Sequence, residues 1–352
     1  MTLTPALFQK QLFHWFDQFG RKHLPWQQNK TPYGVWLSEI MLQQTQVSTV
    51  IPYFERFMQT FPNLAALANA QEDEVLHLWA GLGYYSRARN LQRAAKMIME
   101  KWQGEFPKNL ADLQLLPGIG LSTAGAILSL AFNQATAILD GNVKRVLSRF
   151  EGIKAPINEK AGEALLWQLA QKYLPNKRAA DYTQALMDLG ATICTRRQPA
   201  CSRCPLIDHC VAYQEELVDQ LPYKKAAKPL PTRKTTFFIF KTDDTILLYK
   251  RPNKGIWGGL WSLPEMPGEP EKESVCLFSQ QHFQLKIKTF KALASFRHTF
   301  THYHLIVFPI LISCIQAQPK IMAASQQIWY NPSQPGCVGL PKPIQAIIRG
   351  VI

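Results

Sequence analysis

Residues 219–234, Asp-Gln-Leu-Pro-Tyr-Lys-Lys-Ala-Ala-Lys-Pro-Leu-Pro-Thr-Arg-Lys, separate two stretches of different hydrophobic period, and this break constrains the fold more than any other feature of the chain. Up to about residue 211, apolar residues recur every three or four positions between short Pro/Gly breaks, as in Ala65–Ala70, Glu72–Trp79, Ser86–Lys101 and Gly162–Tyr173. That is the period of packed helices. Beyond the break, Thr235–Lys241 and Thr245–Lys250 are short runs rich in Phe, Ile and Leu, turned by Asp243-Asp244, and His302–Ile312 is another such run. Those are strand signals. The stretch itself is rich in Pro and Lys without apolar period, as an extended basic linker is. The expected organisation is a helical domain over 1–218, a linker over 219–234 and an α+β domain over 235–352. No repeat of 20–50 residues is present, which excludes a solenoid.

The first helix is legible residue by residue. Thr4 is a candidate N-cap, Pro5 suits the first turn, Phe8, Leu12, Trp15 and Phe19 share one face, and Gly20 suits the stop. The start has no charged segment followed by an apolar one, and no stretch is long and apolar enough to span a bilayer. An intracellular, cytoplasmic protein is therefore expected, and disulfides are not. Lys and Arg number 39 against 25 Asp and Glu, a formal net charge of +14. Such a balance points to a polyanion, with nucleic acid ahead of a membrane surface.

Five strings carry candidate chemistry. In Leu116-Pro117-Gly118-Ile119-Gly120-Leu121-Ser122-Thr123-Ala124, two glycines after a proline make a tight hairpin, and a helix starts at about Ser122. Its free N–H groups favour a phosphate oxygen, though a plain helix–helix turn has the same look. In Leu139-Asp140-Gly141-Asn142-Val143-Lys144-Arg145-Val146, Asp140 ends an apolar run just before a new helix. It reads either as a helix cap or as a carboxylate facing a cleft. In Val35–Val47, Glu39 has Val35 and Trp36 one turn behind and Leu42 one turn ahead, so it sits on an apolar stripe. Burial there raises a carboxyl pKa and makes a general acid; the alternative is a boundary glutamate paired with Lys or Arg. Cys194-x6-Cys201-x2-Cys204-x5-Cys210 brings four thiols together for an iron–sulfur cluster, with zinc as the alternative. Cys276, Cys314 and Cys337 are scattered and read as buried small apolar residues. In Trp79–Leu91, Gly81 and Gly83 make a second tight turn followed by aromatics and arginines. This reads as a helix start with core tyrosines or as a wedge for a DNA stack.

In order, and over nearly the whole chain, these strings resemble the adenine DNA glycosylases of the helix-hairpin-helix superfamily. The resemblance implies a mainly α catalytic fold with a 4Fe-4S loop, followed by a Nudix-like α+β domain. It implies that Glu39 protonates the leaving adenine and that Asp140, with Asn142 beside it, supports the sugar cation. Bifunctional relatives of the endonuclease III type carry a nucleophilic lysine where this chain has Ser122, so a monofunctional enzyme is implied. Gln44, Leu82 and Tyr84 fall in the wedge, and Gly118, Gly120, Ser122 and Lys144 among the DNA contacts. The four cysteines fall to the cluster, whose loop carries Arg196, Arg197 and Arg203 toward phosphates. In the second domain, Arg251–Trp261 fits the opening of the Nudix fold. The metal-binding Glu-rich helix has no counterpart in Met266–His282, where Glu269, Glu271 and Glu273 lie near prolines. A domain that binds without hydrolysing follows. Phe296–His304 reads as a half-buried aromatic strand pair or, by resemblance, as the sensor of oxidised guanine at Phe300, Thr301 and His302. Thr301 stands where the family has serine, keeping the hydroxyl and adding a methyl. The implied partner is duplex DNA with adenine opposite 8-oxoguanine or guanine, bound by a monomer. Rival readings are a thymine or oxidised-pyrimidine glycosylase, a non-catalytic damage binder and a Nudix hydrolase.

Overall fold

A computed structural model describes residues 4–226, 229–242, 244–269, 271, 277–278, 281, 286–315 and 326–351. The chain forms two compact units, Met1–Asn69 with Asn90–Ala227, and Ala70–Arg89 with Lys228–Ile352. The segment 70–89, read from the sequence with the helical half, thus packs with the carboxy-terminal part.

The first unit is helical. Thr4 caps Pro5–Phe19, its hydroxyl accepting from the Leu7 N–H at 3.4 Å. Phe8, Leu12, Trp15 and Phe16 are buried on that helix. Phe19, expected on the same face, is instead 64% exposed. It is the last helical residue, and Phe16, one turn earlier, takes the core position. Phe8 packs against Phe150 and Tyr173 with ring centroids 4.9 and 4.4 Å away. This joins the first helix to Gly141–Phe150 and to the end of Lys160–Lys172. Helix Leu121–Phe132 packs on both Pro32–Leu42 and Ala179–Thr192, and Gly141–Phe150 packs on Ala179–Thr192. At that last crossing Gly190 is required by close approach, since a Cβ there would stand 2.6 Å from the Asn142 Cβ.

The second unit contains a mixed sheet of eight strands among its described residues: β1 (Thr232–Thr242), β2 (Thr245–Lys250), β3 (Trp261–Ser262), β4 (Glu265–Pro267), β5 (Lys286–Ala292), β6 (Phe296–Thr299), β7 (His304–Ile315) and β8 (Gln327–Tyr330). The central path runs β3-β2-β1-β7-β5, with β1 and β7 parallel and Thr232 opposite His304. Phe237, Phe238, Ile239 and Phe240 are all fully buried. A continuous apolar run, rather than an alternating one, is what a strand covered on both faces needs. Phe238, Phe240, Leu247, Ile310 and Ile312 form a core cluster on one face, while Phe237 stacks on Trp257 at 6.2 Å on the other. Helix Lys342–Arg349 buries Ile344, Ile347 and Ile348. β1 starts at Thr232, inside the stretch expected to be linker, because Thr232–Lys234 continues the parallel ladder with β7. The run expected over His302–Ile312 starts as a strand at His304. Asp243, Cys276, the Cys314 side chain and most of the 266–282 region, Glu273 included, lie outside the described residues. Cys337, expected to be buried, is exposed.

Candidate active site

Six helices of the first unit and the segments that lead into them line a cavity of about 530 Å³. Glu39 enters it from helix Pro32–Leu42, on which Val35, Trp36, Leu37, Ile40 and Met41 are all buried. The apolar stripe read from the sequence therefore encloses the carboxyl from behind and leaves its front on the cavity. Ser122 and Thr123 come from the start of helix Leu121–Phe132, Asp140 and Asn142 from the start of Gly141–Phe150, and Gln184 and Met187 from Ala179–Thr192.

The two carboxyls share the cavity but not the same surroundings. Burial first, and the Asp140 charge second, push the Glu39 carboxyl up from 4.5 to about 8. No cation is among the groups acting on it, so the reading of Glu39 as a paired boundary residue does not describe this site. A carboxyl with that value is mostly protonated at neutral pH. Asp140 serves both readings made of it. It is the N-cap of its helix, Oδ1 accepting from the Val143 N–H at 2.7 Å, and it faces the cavity. Burial pushes Asp140 up as well, but hydrogen bonds from Val143 and Asn142 and the Arg145 charge oppose it. Asn142 Nδ2 donates to Asp140 Oδ2 at 3.3 Å. Donors at a helix N-terminus favour the charged form, so the two carboxyls differ: Asp140 has hydrogen-bond donors and a nearby cation to oppose its burial, and Glu39 has only burial and the Asp140 charge acting on it.

Ser122 also lines the cavity, where its hydroxyl accepts from the Leu139 N–H at 3.0 Å. A short neutral group thus shares the cavity wall with the carboxyls, already engaged in holding the extended segment that leads to Asp140. Gly118 adopts φ +82°, and a Cβ there would press on Asn90 at 3.1 Å, so the hairpin needs glycine. Gly120 is the N-cap of Leu121–Phe132 without a side-chain cap, which leaves the first N–H groups of that helix available. Lys144 pairs with Glu163 at 2.6 Å and does not line the cavity. Gln44, between helices Pro32–Leu42 and Val47–Thr60, is exposed with φ +57° and is likewise outside the cavity wall.

Two arginines that sequence reasoning passed over hold this end of the site. Arg145 donates to the Asn142 side chain at 2.8 Å and to the carbonyls of Gly190 and Cys194 at 2.6 and 2.7 Å. Arg149 donates to the carbonyls of Thr195 and Leu221 at 2.7 and 2.9 Å. Their spacing of four on one helix was the available signal, since it puts both on one face. Cys194, Cys201, Cys204 and Cys210 line one small cavity beside Arg149. Burial pushes the Cys204 thiol up to about 12. Among the described residues no three His, Cys, Asp or Glu groups converge on a single metal ion. Four thiols ringing a cavity suit a polynuclear cluster better than one zinc, and as thiolates they would be its ligands.

In the second unit, the turn after helix Glu72–Trp79 has Gly81 and Gly83 at φ +107° and +74° and Tyr84 at +50°. This geometry turns Leu82 inward, where it is 6% exposed, and leaves Tyr84 41% exposed. Of the residues expected in the wedge, Leu82 is thus buried and Tyr84 partly exposed. Phe300, Thr301 and His302 lie in the hairpin turn between β6 and β7, closed by the Phe300 N–H to Tyr303 carbonyl bond at 2.9 Å. Thr301 and His302 are exposed, and Phe300 leans on Trp257 at 5.4 Å and His298 at 4.6 Å.

Residues 37–172 match the HhH-GPD superfamily of base excision DNA repair proteins, 194–210 the iron-sulfur binding domain of endonuclease III, and 235–350 the NUDIX domain. The chain is 43% identical over 350 residues to the adenine DNA glycosylase of Buchnera aphidicola subsp. Baizongia pistaciae, covering 99% of this chain and 98% of that one. It is 36% identical to the adenine DNA glycosylase of Homo sapiens, over 85% of this chain and 65% of the human one. A thermostable thymine-DNA glycosylase shares the fold with a TM-score of 0.55 and 26% identity, over 60% of this chain and 97% of that structure.

Proposed function

The chain belongs to the adenine DNA glycosylases of base excision repair, and from that premise we propose that it acts as a monofunctional enzyme on adenine paired with 8-oxoguanine, or with guanine, leaving an abasic site. The observation that carries the chemistry is the pair of unlike carboxyls on one cavity of about 530 Å³, a volume that admits a flipped purine. Glu39, protonated at neutral pH, gives its proton to a ring nitrogen of the adenine. The bond from C1′ to N9 breaks and its electron pair leaves with the base. Asp140, whose charged form is favoured by Val143, Asn142 and Arg145 against its burial, supports the cationic sugar. Glu39, now a carboxylate, takes a proton from the water that adds to C1′. Ser122 supplies no amine, so no Schiff base forms and the strand stays intact.

The hairpin Gly118–Gly120 and the open helix start behind it suit a phosphate oxygen, with Ser122 just after them and Lys144 a further DNA contact. Gln44 on its exposed turn and, separately, Tyr84 on its own turn are each suited to a wedge role. The exposed turn Phe300–His302 supports the reading of oxidised guanine, by a hydroxyl and an imidazole that meet base edges. Cys194, Cys201, Cys204 and Cys210 would hold the iron–sulfur cluster, which would order the loop carrying Arg196, Arg197 and Arg203; the protein's own part is the grip of Arg145 and Arg149 on the carbonyls of Cys194 and Thr195. The enzyme works as a monomer in the cytoplasm, on duplex DNA. No helix among the described residues is long and apolar enough to cross a membrane.

Single-turnover cleavage of three duplexes tests this, with adenine opposite 8-oxoguanine, adenine opposite guanine, and thymine opposite guanine, each with and without later alkali. The expected outcome is strand breakage only after alkali, fastest for adenine opposite 8-oxoguanine. Thymine release would favour the thymine-DNA glycosylase likeness instead, and breakage without alkali would remove Ser122 from its role.

A further inference from the structure

Helix Glu72–Trp79 and the turn after it lie far in sequence from the mixed sheet, yet they pack with it in one compact unit. The contact is specific. Asp73 Oδ1 pairs with Lys250 Nζ at 2.7 Å, and Asp73 Oδ2 accepts from the Trp261 indole N–H at 3.3 Å. The pair is partly shielded, with side chains 28% and 30% exposed, and the Lys250 ammonium lies over the Trp261 ring at 5.8 Å. His77 Nδ1 meets the Val338 carbonyl at 3.1 Å. Gly339 approaches Leu76 so closely that a Cβ would stand 2.9 Å from the Leu76 Cβ. Beyond the turn, Arg89 donates to the carbonyls of Asn253, at 3.2 Å, and Gly258.

What these contacts fix is the turn itself. Arg87 donates to the carbonyls of Leu82 and Gly83 at 3.3 and 3.1 Å and lies over Tyr84 at 5.4 Å. Tyr84 then stands on the wall of the same cavity, about 870 Å³, as Trp257, Phe300, Thr301 and His302. That cavity is aromatic and carries Arg233 and Arg251 besides, the surroundings that an unstacked base and its phosphate would need.

We propose that Asp73, Lys250 and Trp261 form a latch that positions Tyr84 against the Phe300–His302 turn, so that the group splitting the stack and the group reading the orphaned base act as one preassembled unit. The latch residues touch no substrate; they are positioning residues, and their effect belongs to binding preference rather than to bond cleavage. This rests on the reading of Tyr84 as wedge and of Phe300–His302 as sensor. Without the latch, the charges of Asp73 and Lys250 lose each other beside the Trp261 indole, helix Glu72–Trp79 loosens on the sheet, and Tyr84 no longer arrives with the sensor.

The test uses the full chain in a Glu39→Gln background, which holds the duplex uncleaved, with 2-aminopurine beside the orphaned base to report stacking by Tyr84. Lys250→Met keeps the aliphatic stem and removes the charge, Asp73→Asn keeps the shape, and Asp73→Lys with Lys250→Asp restores the pair reversed. The expected result is that each single variant lowers the binding preference for 8-oxoguanine over guanine by about fivefold and reduces the 2-aminopurine change toward that of Tyr84→Ala. The reversed pair recovers part of both. Without the background substitution, the variants keep their single-turnover rate at saturating enzyme within about twofold, which separates a shift in binding from damage to the chemistry. Unchanged preference and unchanged 2-aminopurine signal in both single variants would overturn the latch. Should the unsubstituted protein itself show no preference for 8-oxoguanine, the sensor reading fails, and the 2-aminopurine signal alone then decides the latch: loss in Lys250→Met supports it, no loss overturns it.

Discussion

The cavity of the first unit and the hairpin turn of the second are built on opposite principles. In the cavity, Glu39 and Asp140 sit on helix starts and ends packed by Trp36, Met41 and Val143, with the Val143 N–H and the Asn142 amide already donating to Asp140. At the turn, Thr301 and His302 face outward on a short loop backed by the Phe300, Trp257 and His298 rings. The difference is one of dielectric. Shifting a carboxyl to about 8 needs the exclusion of water, and a proton delivered there is worth most where no solvent competes. Reading a base inside a duplex needs groups that can reach it, and rigidity must then come from behind, from stacked rings. Chemistry and recognition are thus separable, and the variants below are chosen to separate them.

Glu39→Gln is the largest expected effect. It keeps the shape and removes the acid, so single-turnover excision falls by about 10³-fold or more while binding to the mispair persists. Gel-shift titration beside the kinetics checks it; binding lost in step with turnover would merge the two regions. The same variant carries a sign that can be checked by melting. The Glu39 carboxyl has a folded value raised from 4.5 to about 8. Its contribution to stability is therefore full below the unfolded value and is lost as pH rises through about 8. Glu39→Gln lacks that loss, so at pH 9 it should melt above the unsubstituted protein. Asp140→Asn comes next, with about a 10²- to 10³-fold loss of rate, because the amide still caps the helix but no longer offers charge to the sugar. His302→Ala should act about tenfold, and only on the 8-oxoguanine substrate, leaving adenine opposite guanine unchanged. An equal loss on both substrates would mean that the turn serves the chemistry. Gly190→Ala is the smallest change, read by thermal melting. Its methyl displaces Asn142 and costs about 1–3 kcal/mol of stability.

The sequence displayed the local parts of both regions well. The stripe around Glu39 was enough to place it on a buried helix face, the break after Leu139 placed Asp140 at a helix start, and the cysteine spacing brought four thiols to one cavity. Where reading failed, the deciding partner was distant. Arg145 and Arg149 matter because carbonyls 45 to 72 residues further on arrive beside them, and no local pattern announces that. Segment 70–89 looked like one more helix-and-turn of the first half; its partners Lys250, Asn253 and Trp261 follow by more than 160 residues. Phe19 was misplaced for a smaller reason. Apolar residues at a turn or a helix end have no period to assign them, and backbone geometry decides which of two neighbours goes inside.

The most direct test of the account is the pH dependence of single-turnover excision of adenine opposite 8-oxoguanine. Glu39 must carry its proton for the bond to break, so the rate should hold at neutral pH and fall as pH rises through about 8. In Asp140→Asn, which removes the second cause of the shift, the fall should move to lower pH. A rate that stays level to pH 9.5, or a falling limb that Asp140→Asn leaves in place, would contradict a proton held on Glu39 by burial and by its neighbouring carboxylate.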